Sequence, residues 1–154
     1  MTLREISGVK RGFTLIELLI VIGVTLILVV AALPMYGSLQ VSAQLNENSS
    51  LIIQTLRIAR ERSVAGFNNE EHGVYFTSGA YTLYQGPSYA ARDSSYDRTT
   101  TLPSALSVST TFAGGEVNFS KGLGVPNNTG TVTLTHDVKG AKAITINSFG
   151  KVED

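Results

Sequence analysis

An N-terminal apolar run is the feature that most constrains this chain. Between Phe13 and Met35 the only ionisable side chain is that of Glu17, and residues 18–33 carry no charge. As an α-helix, residues 13–36 would be about 36 Å long, more than the roughly 30 Å hydrocarbon core of a bilayer. Basic residues precede the run. The expected orientation therefore leaves the N-terminus in the cytoplasm and the rest of the chain outside.

Three interpretations of this run compete. A buried core helix that is apolar on every face needs a large domain around it, and only about 110 residues remain. A cleaved secretory signal would have a shorter apolar region followed by small residues. Residues 31–33 could serve as its cleavage site, but Glu17 and the length of the run count against it. We therefore favour a membrane anchor that stays on the mature protein.

Glu17 is not explained by anchoring alone. A carboxylate within a membrane-spanning helix costs free energy, so it indicates a functional site and requires a partner. The other interpretation is that Glu17 lies at the headgroup level, because it follows Arg11 by only six residues.

Composition excludes several kinds of chemistry. The chain of 154 residues has no Cys, two His, and twelve Lys and Arg against twelve Asp and Glu. Without cysteine there is no disulfide framework, thiolate nucleophile or zinc–thiolate site. Adjacent strand residues point to opposite faces, so we interpret His136 and Asp137 as a solvent-exposed strand end. The sequence has no phosphate-binding glycine loop and no serine-nucleophile motif. We expect no enzymatic activity, no cofactor and no metal site.

Residues 10–22 read KRGFTLIELLIVI. This segment strongly resembles the N-terminal signature of type IV prepilins and type II secretion pseudopilins, the class III signal. The resemblance implies that a prepilin peptidase cuts between Gly12 and Phe13 and methylates the new amine of Phe13. It also implies that Glu17 pairs with the N-terminal amine of a neighbouring subunit during assembly. Pro34 matches a proline often present in these helices, and a kink or local melting is expected there.

The sequence after Pro34 turns polar but stays compatible with a helix. Apolar and small residues recur at spacings of seven, four, three and four, which predicts one long helix over about residues 14–65. This stripe consists of Leu45, Ile52, Leu56, Ala59 and Ser63. The predicted solvent face carries Gln44, Asn48, Gln54, Glu61 and Arg62.

From His72 onward the apolar pattern has a period of two, which indicates strands. Residues 74–84 read as a hairpin, and residues 86–101 as a long exposed loop because they combine Pro, Ser and mixed charge. Further short strands are predicted at residues 106–112, 116–119, 130–136, 141–147 and 151–152. One helix followed by a run of strands predicts an α+β domain, in which the long helix packs on an antiparallel β-sheet.

The layout of the whole chain looks like the GspH/FimT class of minor pseudopilins and minor pilins. It implies a leader peptide at residues 1–12, a transmembrane and assembly half of the helix at 13–36, and a pilin-like globular domain at 37–154 outside the cytoplasm. The chain lacks the cysteine pair of some relatives and has no basic C-terminal tail.

The resemblance implies a structural subunit of a type II secretion pseudopilus or a type IV pilus, and the sequence leaves the two systems open. Its implied partners are the prepilin peptidase, other pilin or pseudopilin subunits, the membrane lipid before assembly and, indirectly, the assembly platform and its ATPase. The implied location is the bacterial cytoplasmic membrane, followed by the filament.

A DNA-binding minor pilin for DNA uptake is the alternative function. Downstream of Tyr36, nine Lys and Arg face ten Asp and Glu, which gives little electrostatic attraction for phosphates. Lys139, Lys142 and Lys151 could cluster on adjacent strands, but the acidic C-terminal residues 153 and 154 would offset them. We therefore expect no binding to nucleic acid.

The tyrosines of the hairpin and the following segment suggest two roles. Alternation predicts that Tyr75, Tyr81 and Tyr84 pack in the core. The predicted loop places two tyrosines beside charged residues, which makes it a candidate partner-facing surface. Its candidate contact residues are Tyr89, Arg92, Tyr96 and Arg98.

Overall fold

The computed structural model describes residues 12–154, without the side chains of residues 32–36. One helix, α1, spans Leu15–Val64, within one residue of the predicted bounds at each end. The chain divides into two compact units, one ending at Ser38 and the other running from Leu39 to Asp154.

Eight strands follow the helix and form two four-stranded antiparallel sheets. The first sheet has the order β3-β2-β1-β5 and the second has the order β4-β6-β7-β8. The strands are β1 (His72–Thr77), β2 (Ala80–Gln85), β3 (Asp93–Thr101), β4 (Leu106–Thr110), β5 (Glu116–Phe119), β6 (Gly130–His136), β7 (Ala141–Ile146) and β8 (Val152–Glu153). Short 3-10 turns occur at Phe67–Asn69 and Ala113–Gly115.

The second half of α1 packs on both sheets along the predicted stripe. Ile52, Leu56 and Ala59 are completely buried against strand residues such as Val74 and Ile144. This arrangement is expected from the sequence, because the stripe has the spacing of one helix face and the strands alternate between buried and exposed positions. The α+β fold predicted from these two periods is confirmed.

Ser63 joins the end of the helix to the first strand. Its hydroxyl is fully buried, donates to the Ala59 carbonyl at 3.0 Å and accepts from the His72 N–H at 2.8 Å. A buried polar group is tolerated when it is hydrogen-bonded in this way. These bonds hold His72, the first residue of β1, against the end of α1.

The predicted loop at residues 86–101 is wrong over its second half, which forms the edge strand β3. Every residue of this strand is exposed except the half-exposed Asp97. An edge strand open on both faces has no alternation of apolar and polar residues, so periodicity does not reveal it. Its pairing comes from the backbone, and the register jumps between Leu83 and Gln85, which pair with Arg98 and Asp93.

Two polar residues are more buried than expected. Asn48, predicted on the solvent face, is buried and its side-chain amide donates to the Gln44 carbonyl at 2.9 Å. His136, predicted at an exposed strand end, is 7% exposed, lies 3.2 Å from the Gln44 side-chain oxygen and contacts Asp137 at 2.9 Å. The strand does end there, but α1 covers it.

Candidate assembly surface

The helix begins directly after the predicted cleavage site. The Leu18 N–H donates to the Thr14 carbonyl oxygen at 3.1 Å, and the Glu17 N–H donates to the Thr14 hydroxyl oxygen at 3.3 Å. A Thr with a Glu three residues later is a favourable helix N-terminus, because the hydroxyl accepts from a backbone N–H that has no partner within the helix. Thr14 therefore caps α1, which starts at the next residue, Leu15.

Glu17 carries the only charged side chain in residues 12–31. Its position in the first turn is favourable, because the helix N-terminus has a partial positive charge. The carboxylate is exposed and makes no hydrogen bond or ion pair to any residue in the described part of the chain. Its pairing with the amine of a neighbouring subunit stays a prediction.

Around Glu17 the first half of α1 is covered with large apolar side chains. Fourteen of them, in residues 13–30, are each at least 51% exposed. They are Phe13, Leu15, Ile16, Leu18, Leu19, Ile20, Val21, Ile22, Val24, Leu26, Ile27, Leu28, Val29 and Val30. An apolar surface of this extent on all faces of a helix needs a cover, because exposed patches of such size mark protein or membrane contacts.

The remaining polar group of this segment is satisfied within the helix. The Thr25 hydroxyl donates to the Val21 carbonyl at 2.7 Å, so it presents no unpaired donor to an apolar environment. A methyl group added at Gly23 would meet no atom within 4 Å, so the helix surface is open there. Both features suit close packing of a neighbouring helix.

Within the described residues, no helix meets the length and hydropathy of a membrane-crossing segment. Pro34 lies inside α1, but its side chain is outside the described part, so the kink stays a prediction. Lys10 and Arg11, the basic residues next to the predicted cleavage site, are also outside the described residues.

The predicted partner loop has one part whose side chains contact the rest of the domain and another part whose side chains are exposed. The Tyr89 ring stacks on Tyr75 with centroids 3.8 Å apart, and the Arg92 guanidinium covers the Tyr89 ring at 3.7 Å. Arg92 also forms an ion pair with Asp97 at 2.8 Å. By contrast, Tyr96 is 46% exposed on β3. Tyr89 and Arg92 therefore make contacts within the domain but stay half-exposed, and their contact with a partner stays a prediction.

Tyr96 and Arg98 lie on the exposed edge strand rather than on a loop. Neither side chain makes a hydrogen bond or ion pair among residues 12–154 that the structure describes. Contact of these two side chains with a partner stays a prediction.

A carboxylate holds the tyrosine cluster in place. Glu116 accepts hydrogen bonds from the Tyr84 hydroxyl at 2.8 Å and from the Tyr89 N–H at 2.6 Å. Burial, together with the bond to Glu116, raises the pKa of Tyr84 above its ordinary value. Core packing is confirmed for Tyr81. The prediction is wrong for Tyr75 and Tyr84, which share the other face of the sheet, where Tyr84 is buried and Tyr75 is half-buried.

The C-terminal lysines are offset as expected. Lys142 lies 3.4 Å from Asp154, and Lys151 pairs with Glu153. These pairs reduce the concentrated positive charge on which binding to DNA phosphates depends.

His72 is a buried titratable residue that the sequence did not reveal. It is 1% exposed, and neither ring nitrogen has a hydrogen-bond partner among the described residues. The nearby Gln85 side-chain oxygen accepts from Asn68 at 2.7 Å. Burial, followed by the positive charge of Arg62, lowers the pKa of His72. A neutral ring is therefore favoured in the folded protein.

The stability of the protein should decrease in acid through His72. Its folded pKa lies below the unfolded value of about 6.5, so the unfolded chain takes up the proton first as the pH falls. Stability is complete above about pH 6.5 and is lost below it, by at most about 1.4 kcal/mol per pH unit. Urea unfolding of wild type and His72→Leu between pH 7.5 and 5 measures this. Parallel pH dependences of the two proteins would contradict it.

Comparison with known proteins finds similarities for the N-terminal segment and for the fold. Residues 9–33 match the family model of the prokaryotic N-terminal methylation motif. The fold is similar to that of the type IV minor pilin FimU of Pseudomonas aeruginosa strain PAO1 in two crystal forms. The first has a TM-score of 0.59 at 13% identity and covers 73% of this chain and 88% of FimU. The second has a TM-score of 0.57 at 14% identity and covers 71% and 90%.

No curated protein matches the sequence. At 13% and 14% identity, the likeness to FimU establishes the fold. The methylation motif is evidence of a different kind, because it is a match of sequence rather than of fold. It covers residues 9–33, which include most of the exposed apolar part of α1. The chain thus carries a prokaryotic N-terminal methylation motif on a domain with a fold similar to that of the type IV minor pilin FimU.

Proposed function

We propose that this chain is a minor subunit of a type IV pilus or a type II secretion pseudopilus. The observation that carries the proposal is the capped helix start at Thr14, which directly follows the Gly12–Phe13 bond and leads into an exposed apolar helix. Cleavage at that bond removes residues 1–12 and leaves Phe13 as the new N-terminus, whose amine is then methylated. The apolar half of α1 becomes the assembly surface.

Before assembly, the apolar segment lies in the cytoplasmic membrane with the globular domain outside. The basic residues Arg4, Lys10 and Arg11 precede the segment, and such residues stay on the cytoplasmic side. The fourteen exposed apolar side chains then contact lipid rather than water. In the filament, the apolar helices of other subunits replace that lipid.

Glu17 sets the axial position of the subunit. A carboxylate surrounded by apolar helices is costly unless it is paired, and the N-terminal ammonium of a neighbouring subunit removes that cost at one register only. The free carboxylate, with no partner among residues 12–154 that the structure describes, supports this role. The pair selects a position more than it adds stability.

Intact-mass measurement and N-terminal sequencing of the protein from its native host test the processing step. We expect a chain that starts at N-methylated Phe13. Gly12→Ala, made as the comparison, should keep the mass of the uncut chain, because the residue before the cut is replaced. A wild-type protein that starts at Met1, or after residues 31–33, would contradict the proposal.

The two filament systems can be separated by deleting the gene. Loss of surface pili and of pilus retraction would assign the subunit to a type IV pilus. Loss of exoprotein secretion with pili intact would assign it to a pseudopilus. A deletion strain normal in both respects would contradict a role in either machine.

A further inference from the structure

Residues 66–70 lie between the end of α1 and the start of β1, and we call them the α1–β1 corner. The backbone is left-handed at three of these positions, with φ angles of +62° at Gly66, +53° at Asn68 and +63° at Asn69. This region costs energy for any residue with a side chain, although asparagine tolerates it better than most residues. The surrounding structure must therefore hold the corner in its observed conformation.

Two asparagines attach the corner to the rest of the domain. The Asn68 side-chain amide donates to the Gln85 side-chain oxygen at 2.7 Å. The Lys121 ammonium donates to the carbonyl and side-chain oxygens of Asn69 at 3.2 and 2.8 Å. No residue of the corner is buried. A short, exposed segment of this kind opens at a lower free energy than the domain as a whole.

His72 is buried against this corner. Its ring centroid is 5.9 Å from that of Phe67, and the residue is 1% exposed. Neither ring nitrogen has a hydrogen-bond partner among the residues that the structure describes. A neutral imidazole has one N–H donor, whereas an imidazolium has two and carries a positive charge. Protonation would therefore add both an unpaired donor and an unsolvated charge at this place.

The charged groups around His72 do not compensate for such a charge, because two of the three are positive. They are Arg62 at the end of α1, Glu70 in the corner and Lys121, which binds the corner. Strands β2 and β5 pair His72 with the neutral residues Gln85 and Phe119. Burial, followed by Arg62, outweighs the favourable effect of Glu70 and lowers the pKa of His72. The buried ring is therefore stable in its uncharged form.

A protonated His72 would be stabilised by water. The Gln85 oxygen, on the strand directly opposite, already accepts from Asn68. On its other sides His72 is fixed by its hydrogen bond to Ser63 of α1 and by its pairing with β2 and β5. The corner has the fewest attachments of these neighbours, so moving it hydrates the ring at the lowest cost.

We propose that the α1–β1 corner is an acid-operated lid, which opens when His72 is protonated while α1 and both sheets stay folded. In the open form, Phe67 leaves the imidazole ring and water hydrates both nitrogens. This local opening limits the loss of overall stability predicted above, because an open corner lets the folded protein take up the proton as well. The corner lies outside the apolar half of α1, so its opening does not depend on the proposed function.

Native-state hydrogen exchange of the purified full chain in detergent tests the lid. The N–H groups of Asn69 and Glu70 report on it, because they donate to the Gly66 and Phe67 carbonyls at 2.8 and 3.2 Å. After correction for the intrinsic effect of pH on exchange, their protection should fall at least about tenfold from pH 7.5 to 5, since each pH unit below about 6.5 is worth up to about tenfold. Dilute urea should leave this exchange unchanged but speed that of the β6 amides, which requires unfolding of the sheet.

Variants identify the group that titrates. His72→Gln keeps a polar side chain without a titratable proton, so it should lose the pH dependence of protection, and His72→Leu should lose it too. His136→Gln, which replaces the other histidine, should keep it. The lid is refuted if wild-type protection at the corner does not fall in acid, if the corner and β6 respond alike to urea, or if both His72 variants keep the pH dependence.

Asn68→Ala loosens the corner without removing the titratable group. Loss of the hydrogen bond to Gln85 should lower the protection of Asn69 and Glu70 at least about fivefold at both pH values. The ratio of protection between pH 7.5 and 5 should then stay within about twofold of the wild-type ratio. Loss of the pH dependence in Asn68→Ala would show that this bond, rather than the charge of His72, controls the corner, and would overturn the proposal.

Discussion

Glu17→Ala is expected to be cleaved and methylated but to enter filaments at less than about a tenth of the wild-type level. Its carboxylate is the only side-chain charge in the apolar assembly segment and has no partner among residues 12–154 that the structure describes. Removing one member of a buried ion pair costs about 3 to 5 kcal/mol, because the other charge is left unpaired. Immunoblots of sheared filaments, normalised to the membrane pool, measure the effect.

Glu17→Gln separates the charge from the helix cap. Glutamine suits the position three residues after Thr14 as well as glutamate does, so the helix start should survive. If pairing with an ammonium is the role, Glu17→Gln should be as defective as Glu17→Ala. Glu61→Ala, an exposed carboxylate on the same helix, should assemble normally. Normal filament content in Glu17→Gln would refute the ion-pair role.

Gly73→Ala should lower the free energy of unfolding by about 3 kcal/mol. Gly73 is buried in β1, where an added Cβ would overlap the Tyr84 hydroxyl and lie 2.7 Å from the Val117 carbonyl oxygen. Tyr84 is held by Glu116, and Val117 belongs to the ladder between β1 and β5. Neither neighbour can move without losing a hydrogen bond. The loss of stability should therefore lie at the upper end of the range of about 1 to 3 kcal/mol that overpacked cores show.

Gly79→Ala is the matched control for this measurement. An added Cβ at Gly79, in the turn after β1, meets no atom within 4 Å. Urea unfolding of the purified full chain should show a change within about 0.5 kcal/mol for Gly79→Ala, as for ordinary surface substitutions. Equal stability of the two glycine variants would show that the sheet absorbs the methyl group at position 73.

The parts of the fold that are repetitive in sequence could be predicted. The buried stripe ending at Ser63 has the period of a helix, and β5, β6 and β7 begin where the alternation begins. The assembly segment was equally visible, because its signal is local and dense. These features depend on neighbours within a few residues, so a sequence pattern records them.

The features that escaped prediction depend on distant contacts. Arg60 donates to carbonyl groups 64 and 89 residues further along the chain, and no local sequence pattern predicts these hydrogen bonds. His136 is buried because Gln44, 92 residues earlier, covers it. The strand β3 could not be predicted for another reason. Both of its faces are exposed, so its side chains show no alternation of apolar and polar residues.

The register jump in β3 has a consequence for polymerisation. An open strand edge is a template on which other chains add, and natural sheets block such edges with bulges and charged residues. Here four residues, 94–97, depart from the ladder between Asp93 and Arg98, and these two charged residues flank the interruption. A flat, continuous edge for cross-β stacking is therefore missing on this side. The interruption therefore limits amyloid-like growth of the chain through this edge.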